Sequence, residues 1–496
     1  MRREVLRFEH VTYKEKDKVL LQDFDLNIFE GEIMGLLTIG ANGLPALLKI
    51  LSEYPPLYHG YIYYRERMVD SWVEGHHAVP RISVIGDTSS LVEGQSVLTN
   101  IMILRRGFSQ EFLNFKLLNR QLAPFLKEAG VSINPALPVE KLTAFERIVV
   151  EILRGVVADH RLIVVQEIST IINDSQLHRL YEIMRYYAKK GFSFLYICPH
   201  FEEQIQICDR VALMMHRRIT KILPGVEMSK EVVNRCSEEY ILRVQKRLSQ
   251  PRKKDGAVVF SVEGLTGNYL KGLDCMIREG ECVAIQCLDQ KISRELFQVL
   301  LGKEEPAAGK YFLLGKPVKI NSRSIAVIME HPWETMIYPD MSVLDNLCIC
   351  MDHRVANVWR AGNIRKSIRG MIEEQMGPGI SGKRMWELSD MEKSELVYTR
   401  VLLQKPKIVF CIQPFKGEDL SHRLLIWDMQ KRLLDRGIAV VILAVNMADA
   451  LSLADRVIRI DKNTKVEEYE RKDFHRLPPT VPWYFMYQED GLWGEG

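Results

Sequence analysis

The chain has 496 residues, of which 47% are hydrophobic and 26% are charged, and its formal net charge is +3 at pH 7. This length and hydrophobic content suffice for two large packed domains. The nearly neutral charge gives no reason to expect nucleic acid as a partner. No apolar run reaches the ~18 residues that predict a membrane span, and the first residues lack the apolar core of a signal peptide. We therefore expect a cytoplasmic protein.

The cysteines and histidines give no sign of a metal centre. The nine cysteines are scattered singly except for Cys348 and Cys350, whose spacing fits no common metal or redox motif. The twelve histidines show no ligand spacing either. We expect reduced thiols in the core and no metal site.

The second half of the chain repeats the landmarks of the first half in the same order. Gly31-Glu32 returns as Gly280-Glu281, at an offset of 249 residues (280 − 31), and Asp209-Arg210-Val211 returns as Asp455-Arg456-Val457, at an offset of 246 (455 − 209). Each half runs from short alternating strands, through an apolar strand and a mostly helical stretch, to apolar strands separated by helices. This order predicts two related α/β domains in tandem, each with an antiparallel strand layer, a buried parallel sheet and a helical subdomain.

Composition places the boundaries of these domains. We predict a first domain at 1–227 and a second at 257–474, joined by a charged connector at 228–256 whose basic stretch is interpreted as a solvated linker. The tail at 475–496 is rich in aromatic residues. Two interpretations stay open for it: packing onto the body of the protein, or binding of a partner.

Several segments resemble the motifs of ABC-transporter ATPases. The segment 31–69 resembles the phosphate-loop region of that family, in which a glycine-rich loop precedes a helix reading LMKIL; here the helix reads LLKIL. The segment 138–156 resembles the signature helix, 161–170 the strand that ends in an Asp-Glu pair, and 195–214 the switch-histidine strand. The second half repeats the series. Over nearly its whole length the chain is similar to the double-length ATPase of ribose/galactose-type sugar importers.

The resemblance implies a P-loop NTPase fold and a place at the inner face of the cell membrane beside a permease. In such a loop, backbone N–H groups and a lysine hold the phosphates, and a Ser or Thr hydroxyl holds Mg²⁺. Gly40 and Gly43 lie in the equivalent loop of this chain, but Leu44 stands at the lysine position and Pro45 at the magnesium-ligand position. An apolar side chain and an imino acid offer nothing to an anion, so the loop is predicted to be inactive.

Other positions implied by the resemblance are altered as well. Asp87 stands where a glutamine senses metal and water, and Gln166 stands where an aspartate supports the metal, whereas Glu167 matches the general base. Pro199 replaces the switch histidine, and Glu146 replaces the signature glutamine. With nothing left to act upon, Glu167 is interpreted as a vestige.

The second half departs further from the family. Ser293 stands at the lysine position of a loop that contains no glycine, and Arg294 and Lys291 lie beside it. These two cations could touch an anion, but solvated side chains at a helix start are the simpler interpretation.

Three hypotheses for the function follow. The first is a sugar-importer ATPase homologue without ATPase activity and without a cofactor, which has a structural or regulatory role and contacts a permease or a regulatory protein. The alternative is a transport-competent subunit that binds ATP and Mg²⁺ through a divergent site, with Lys49, Lys291 or Arg294 recruited. A third possibility is a small-molecule sensor that reuses the emptied clefts.

Overall fold

A computed structural model gives the structure of this chain. It describes residues 3–16, 18–39, 43–69, 82–86, 88–102, 114–198, 201–225, 256–349, 358–416, 420–445 and 447–477. The chain divides into two compact units, Met1–Glu238 and Glu239–Gly496. The predicted connector, apart from Gly256, and residues 478–496 of the predicted tail lie outside the described residues, so both stay predictions.

The first unit alternates strands and helices. Its elements in chain order are β1 (Glu4–Glu15), β2 (Lys18–Phe29), β3 (Ile33–Ile39), α1 (Leu44–Glu53), β4 (His59–Tyr64), β5 (Arg67–Met68), β6 (Ile82–Ile85), α2 (Val97–Met102), α3 (Phe115–Glu128), α4 (Ala144–Val157), β7 (Leu162–Gln166), α5 (Asp174–Lys189), β8 (Ser193–Ile197), α6 (Phe201–Ile207), β9 (Arg210–Met215) and β10 (Arg218–Pro224).

These strands form two sheets. An antiparallel sheet has the order β2-β1-β4-β5, and a second sheet has the order β10-β9-β3-β8-β7-β6, in which β10 is the antiparallel edge strand. Every residue of β8 is buried, as expected for an apolar strand covered on both faces. The antiparallel sheet and α1 pack together over one face of the parallel strands in a single apolar cluster.

The second unit has the same architecture. Its elements are β11 (Val258–Thr266), β12 (Leu273–Arg278), β13 (Cys282–Cys287), α7 (Gln290–Leu300), β14 (Ala308–Leu313), β15 (Lys316–Val318), β16 (Ile325–Ile328), α8 (Pro332–Thr335), α9 (Val343–Cys348), α10 (Val358–Met376), α11 (Asp390–Gln404), β17 (Ile408–Ile412), α12 (Leu420–Asp435), β18 (Ala439–Ala444), α13 (Ala448–Leu453), β19 (Arg456–Ile460) and β20 (Val466–Glu470).

The sheet order of the second unit repeats that of the first. Its sheets run β12-β11-β14-β15 and β16-β17-β18-β13-β19-β20, so each strand sits where the strand ten numbers earlier sits in the first unit. The sequence prediction of two tandem α/β domains, each with an antiparallel layer and a helical subdomain, is confirmed. Within the described ranges, no helix has the length and apolar character needed to cross a membrane.

The Gly-Glu and Asp-Arg-Val motifs, which recur in both halves of the sequence, hold a central parallel strand of each unit to its neighbour. Asp209 accepts a hydrogen bond from the N–H of Ile33 at 2.9 Å, and Arg210 Nε lies 2.5 Å from the buried carboxylate of Glu32. In the second unit Asp455 and Arg456 repeat both interactions, with 2.8 Å to the N–H of Cys282 and 3.0 Å to Glu281. The Gly-Glu and Asp-Arg-Val motifs persist because they hold β3 to β9 and β13 to β19.

A buried asparagine is repeated in the same way. Asn100 Oδ1 accepts the N–H of Val92 at 2.7 Å, and its Nδ2 donates to the carbonyl of the same residue at 3.1 Å. Asn346 does the same for Tyr338, at 3.0 Å in both directions. Both asparagines are fully buried, so each satisfies two backbone groups of the loop that leads into the helical subdomain.

Candidate functional site

In an open α/β sheet, ligands bind outside the carboxyl ends of the parallel strands. In the first unit this edge is formed by the ends of β3, β7 and β8. Five of the predicted site residues of the first unit can be placed there: Gly43, Leu44, Pro45, Gln166 and Glu167. Three further predicted positions lie outside the described residues: Gly40, Asp87 and Pro199.

The start of α1 is apolar and tightly packed. Gly43 precedes the helix, and a Cβ added there would lie 2.3 Å from Met214 Cε and 2.9 Å from Leu21 Cδ2. Leu44, at the predicted lysine position, is only 7% exposed and belongs to the core cluster, while Pro45 is exposed and has no N–H. Leu44 thus turns inward as a core side chain instead of presenting a charge at the helix start.

Glu167 directly follows Gln166, the last residue of β7, and has a left-handed backbone with φ of 53°. Its N–H donates to the carbonyl of Ile197 at 2.8 Å. Gln413, the equivalent residue of the second unit, has φ of 42° and donates to Leu443 at 2.8 Å. Because a glutamate and a glutamine adopt the same conformation, the bend belongs to the fold and is no sign of a working general base.

The signature helix of the first unit begins with a carboxylate of its own. Thr143 Oγ1 accepts the N–H of Glu146 at 3.3 Å, and Glu146 Oε2 accepts the N–H of Thr143 at 2.8 Å and its hydroxyl at 2.9 Å. This reciprocal arrangement is a capping box. It places the negative charge of Glu146 at the N-terminus of α4, where the resemblance implies a phosphate.

The second unit repeats this cap. Ser389 donates its N–H to Glu392 Oε2 at 2.7 Å and its hydroxyl to the same atom at 2.8 Å, and the N–H of Glu392 donates to Ser389 Oγ at 3.3 Å. The N-terminus of α11 is thereby occupied by a carboxylate as well. Asp390, also in the first turn, adds a second negative charge.

At the loop position of the second unit, a carboxylate again takes the helix N-terminus. Asp289 Oδ1 accepts the N–H groups of Lys291 at 2.8 Å and Ile292 at 3.4 Å, and its carbonyl accepts the N–H of Ser293 at 3.0 Å. Ser293 is 8% exposed, and Arg294 faces solvent. The backbone donors that would meet a phosphate at the start of α7 are bonded to the chain itself.

A neighbouring set of backbone donors is filled in the same manner. The N–H groups of Asn268, Tyr269 and Leu270 all donate to the carboxylate of Glu295, which is on α7, at 2.5, 2.7 and 2.7 Å. Successive N–H groups that converge in this way form an anion-binding nest. Glu295 fills this nest, and it is 6% exposed.

The two lysines that could have been recruited to a phosphate have other partners. Lys49 Nζ lies 2.6 Å from Glu15 Oε1, and Tyr13 donates its hydroxyl to the same carboxylate at 2.7 Å. This hydrogen bond raises the pKa of Lys49 and lowers the pKa of Glu15. In the second unit, Lys291 Nζ lies 5.4 Å from the centre of the Tyr269 ring, within range of a cation–π contact.

The segment that follows Asp87 is held by a buried acid on the signature helix. Glu151 is 2% exposed and accepts the N–H of Ser90 at 2.6 Å and its hydroxyl at 2.8 Å. Burial raises the pKa of this carboxyl, and the Ser90 hydrogen bonds oppose the shift. Arg154 Nη1 donates to the carbonyl of Ser90 at 2.9 Å, and its equivalent Arg400 donates to the carbonyl of Met336 at 2.7 Å.

A second buried acid lies on α6. Glu203 is completely buried and accepts a hydrogen bond from the hydroxyl of Tyr196. Burial raises the pKa of Glu203 to about 7, while the Tyr196 hydroxyl acts in the opposite direction. No sequence pattern predicts this group, because a glutamate in the segment FEEQIQ is typical of an ordinary helix surface.

Comparison with known proteins extends over almost the whole chain. This chain is 25% identical over 489 residues to a putative ribose/galactose/methyl galactoside import ATP-binding protein of Geobacillus kaustophilus, and the match covers 95% of each protein. It is 22% identical over 497 residues to the ribose import ATP-binding protein RbsA of Caldanaerobacter subterraneus, covering 95% of this chain and 97% of that protein. The chain is a homologue of ribose- and galactose-import ATP-binding proteins. The resemblance stated from the motifs is therefore confirmed.

A solved structure supports the tandem fold. An RNase-L inhibitor is similar with a TM-score of 0.58 at 14% identity, over 96% of this chain and 95% of its own, a likeness that concerns the fold alone. No family model matches the chain.

The carboxylates that cap α4, α7 and α11 were not anticipated from the sequence. The capping carboxylates Glu146 and Glu392 carry a readable signal, since Thr143 and Ser389 each precede a glutamate by three residues, which is the capping-box pattern. Asp289 before an apolar helix is a common N-cap and could have been found in the same way.

Proposed function

We propose that this homologue of carbohydrate-importer ATP-binding subunits has no ATPase activity, binds neither ATP nor Mg²⁺, and has a structural or regulatory role. The observation that carries the proposal is the set of carboxylates at the helix N-termini. Glu146, Glu392 and Asp289 each accept backbone N–H groups where the resemblance implies phosphate oxygens. At the fourth position, the start of α1, Leu44 and Pro45 supply neither charge nor hydroxyl.

Electrostatics explains why these caps oppose a nucleotide. A helix N-terminus carries about half a positive charge and favours one anion. A carboxylate already bonded there cancels this charge and repels a phosphate that approaches within a few ångströms. ATP would have to displace the caps and would meet no lysine in return, because Lys49 pairs with Glu15 and Lys291 faces Tyr269.

The test is calorimetric titration of ATP, at up to about 5 mM, into the full chain with and without Mg²⁺. The ribose import ATP-binding protein RbsA of Clostridium perfringens, 22% identical over 473 residues, serves as the positive control. We expect heat and thermal stabilisation for the control and neither for this chain. Saturable, Mg²⁺-dependent binding by this chain would overturn the proposal and favour the transport-competent alternative.

ATP hydrolysis has its own control. Any phosphate release by the purified chain should be the same for the Glu167→Gln variant, because Glu167 would have no bound nucleotide to act upon. A loss of release of tenfold or more in that variant would show that Glu167 works as a base and would contradict the proposal.

The proposed partner is a permease at the cytoplasmic face of the membrane, with a regulatory protein as the other possibility. Support comes from relatives that are named as import ATP-binding proteins and that this chain matches over 97% and 95% of their length. We expect the chain to float with membranes only when a cognate permease is co-expressed. Flotation without any permease, or no flotation with one, would contradict this partner.

A further inference from the structure

Three polar side chains converge at one edge of the antiparallel sheet of the first unit. Ligand atoms of His10, Asp23 and Asp25 all lie within 4.8 Å of one another. His10 Nδ1 is 2.8 Å from Asp23 Oδ1 and 3.5 Å from Asp25 Oδ2. The three side chains are 64%, 64% and 50% exposed, so water and ions reach them freely.

The second unit shows which part of this arrangement the fold requires. The N–H of His10 donates to Asp25 Oδ1 at 2.9 Å, in a strand irregularity where His10 has φ of 51°. At the same place in the sheet of the second unit, the N–H of Gly264 donates to Asp274 Oδ1 at 2.6 Å, and Gly264 has φ of 61°. The irregularity therefore needs a left-handed backbone and one aspartate, and it forms without an imidazole.

The position of Asp23 is equivalent in the same sense. Gly272 directly precedes Leu273 in the second unit, as Asp23 directly precedes Phe24 in the first, and the two pairs lie at the same place in their sheets. Asp23 has φ of 46°, and Gly272 has φ of 67°. Glycine adopts this backbone without the cost that a side chain brings. The first unit thus carries His10 and Asp23 at two left-handed positions where its own copy carries glycine, and both side chains point at the same spot.

The spacing of these atoms is that of metal ligands. Zinc ions bind imidazole nitrogen and carboxylate oxygen at about 2.0–2.2 Å, so neighbouring ligand atoms on one ion are about 3.0–3.5 Å apart. The two measured N···O separations, 2.8 and 3.5 Å, bracket that range. An imidazole with two carboxylates favours zinc-like ions over Ca²⁺ and Mg²⁺, which take oxygen ligands.

We propose that His10, Asp23 and Asp25 form a binding site for one divalent transition-metal ion of the zinc type. His10 would bind through Nδ1 after losing its proton, each aspartate through one oxygen, and water would fill the remaining positions.

The test is calorimetric titration of ZnCl₂ into the full chain at pH 8 in a buffer that does not chelate zinc. The variants His10→Gly and Asp23→Gly each introduce the glycine that the second unit has at the equivalent position. Glycine adopts the left-handed backbone of these positions without strain, so both variants should fold. The control is His216→Gly, because His216 is another exposed histidine with positive φ, 49°, in the turn between β9 and β10.

We expect one zinc site in the wild type and in His216→Gly. Zinc binding should be weakened at least tenfold in His10→Gly and in Asp23→Gly. Co²⁺ should bind the same site and give a visible absorption band that disappears in His10→Gly. Equal zinc binding by wild type and His10→Gly would place the ion at other histidines. No saturable binding by the wild type at about 1 mM zinc would show that the three side chains form no zinc site. Either result overturns the proposal.

Discussion

The buried carboxyl of Glu203 makes the stability of the first unit depend on pH. Its pKa is about 7 in the folded chain and 4.5 is its ordinary value, so below pH 4.5 the carboxyl is protonated in both states and its contribution is fully present. As the pH rises to 7, the unfolded chain releases the proton first and stability falls. One pKa unit corresponds to about 1.4 kcal/mol, so the total loss is about 3 kcal/mol.

The perturbation is Glu203→Gln, which keeps an acceptor for the Tyr196 hydroxyl and cannot ionise. For a domain of this size a loss of about 3 kcal/mol corresponds to a shift of about 10 °C in melting temperature. Between pH 5 and pH 8, we expect the melting temperature of the wild type to fall by about 10 °C relative to that of the variant. The variant should therefore be the more stable protein at pH 8. Glu182→Gln, an exposed change on α5, is the matched control and should follow the wild type.

The assay is scanning calorimetry of the full chain at pH 5, 6, 7 and 8. Hydrogen exchange of peptides from β8 and α6 assigns the relevant transition to the first unit. Parallel pH profiles for wild type and Glu203→Gln would refute the reasoning, because they would show that Glu203 has the same pKa in the folded and unfolded chain.

Three further substitutions test the internal fastenings. Glu32→Gln leaves a part-buried arginine without its charged partner and should cost about 3–5 kcal/mol in urea unfolding. Glu281→Gln should cost less, because Arg456 keeps a second carboxylate, Glu468, at 2.7 Å, and equal costs would contradict this reasoning. Asn100→Ala leaves two buried backbone groups unsatisfied and should cost about 2–4 kcal/mol, and a cost below 1 kcal/mol would mean that water replaces the amide. Asp289→Ala removes the cap of α7 and should cost about 1 kcal/mol, while the exposed Arg294→Ala stays within about 0.5 kcal/mol; the reverse order would be inconsistent with the cap.

The tandem fold was predictable because its signals are local and repeated. Gly-Glu turns, apolar strands and Asp-Arg-Val segments recur at nearly constant offsets, and each carries a fixed backbone role that the structure shows. Glu32 and Arg210, for example, meet across the sheet as Glu281 and Arg456 do.

The cluster around His10 and the burial of Glu203 were less predictable from the sequence, because both depend on contacts between separate elements. His10 and Asp25 are 15 residues apart in sequence, and they meet only because β1 and β2 pair with irregular register. The sequence prediction of no metal site rested on ligand spacing along the chain, whereas the zinc site that we propose forms across two paired strands. The burial of Glu203 likewise depends on how α6 packs against β8, and a short polar helix gives no pattern from which to infer it.

The carboxylate caps on α4, α7 and α11 have a consequence for how this chain would respond to the state of a cell. A diffusible phosphate occupies a helix end in proportion to its concentration, so that such an end reports the supply of nucleotide. A carboxylate tethered two or three residues away has an effective concentration that never varies. On the proposal that no nucleotide displaces these caps, the three helix ends keep one electrostatic state whatever the supply of nucleotide.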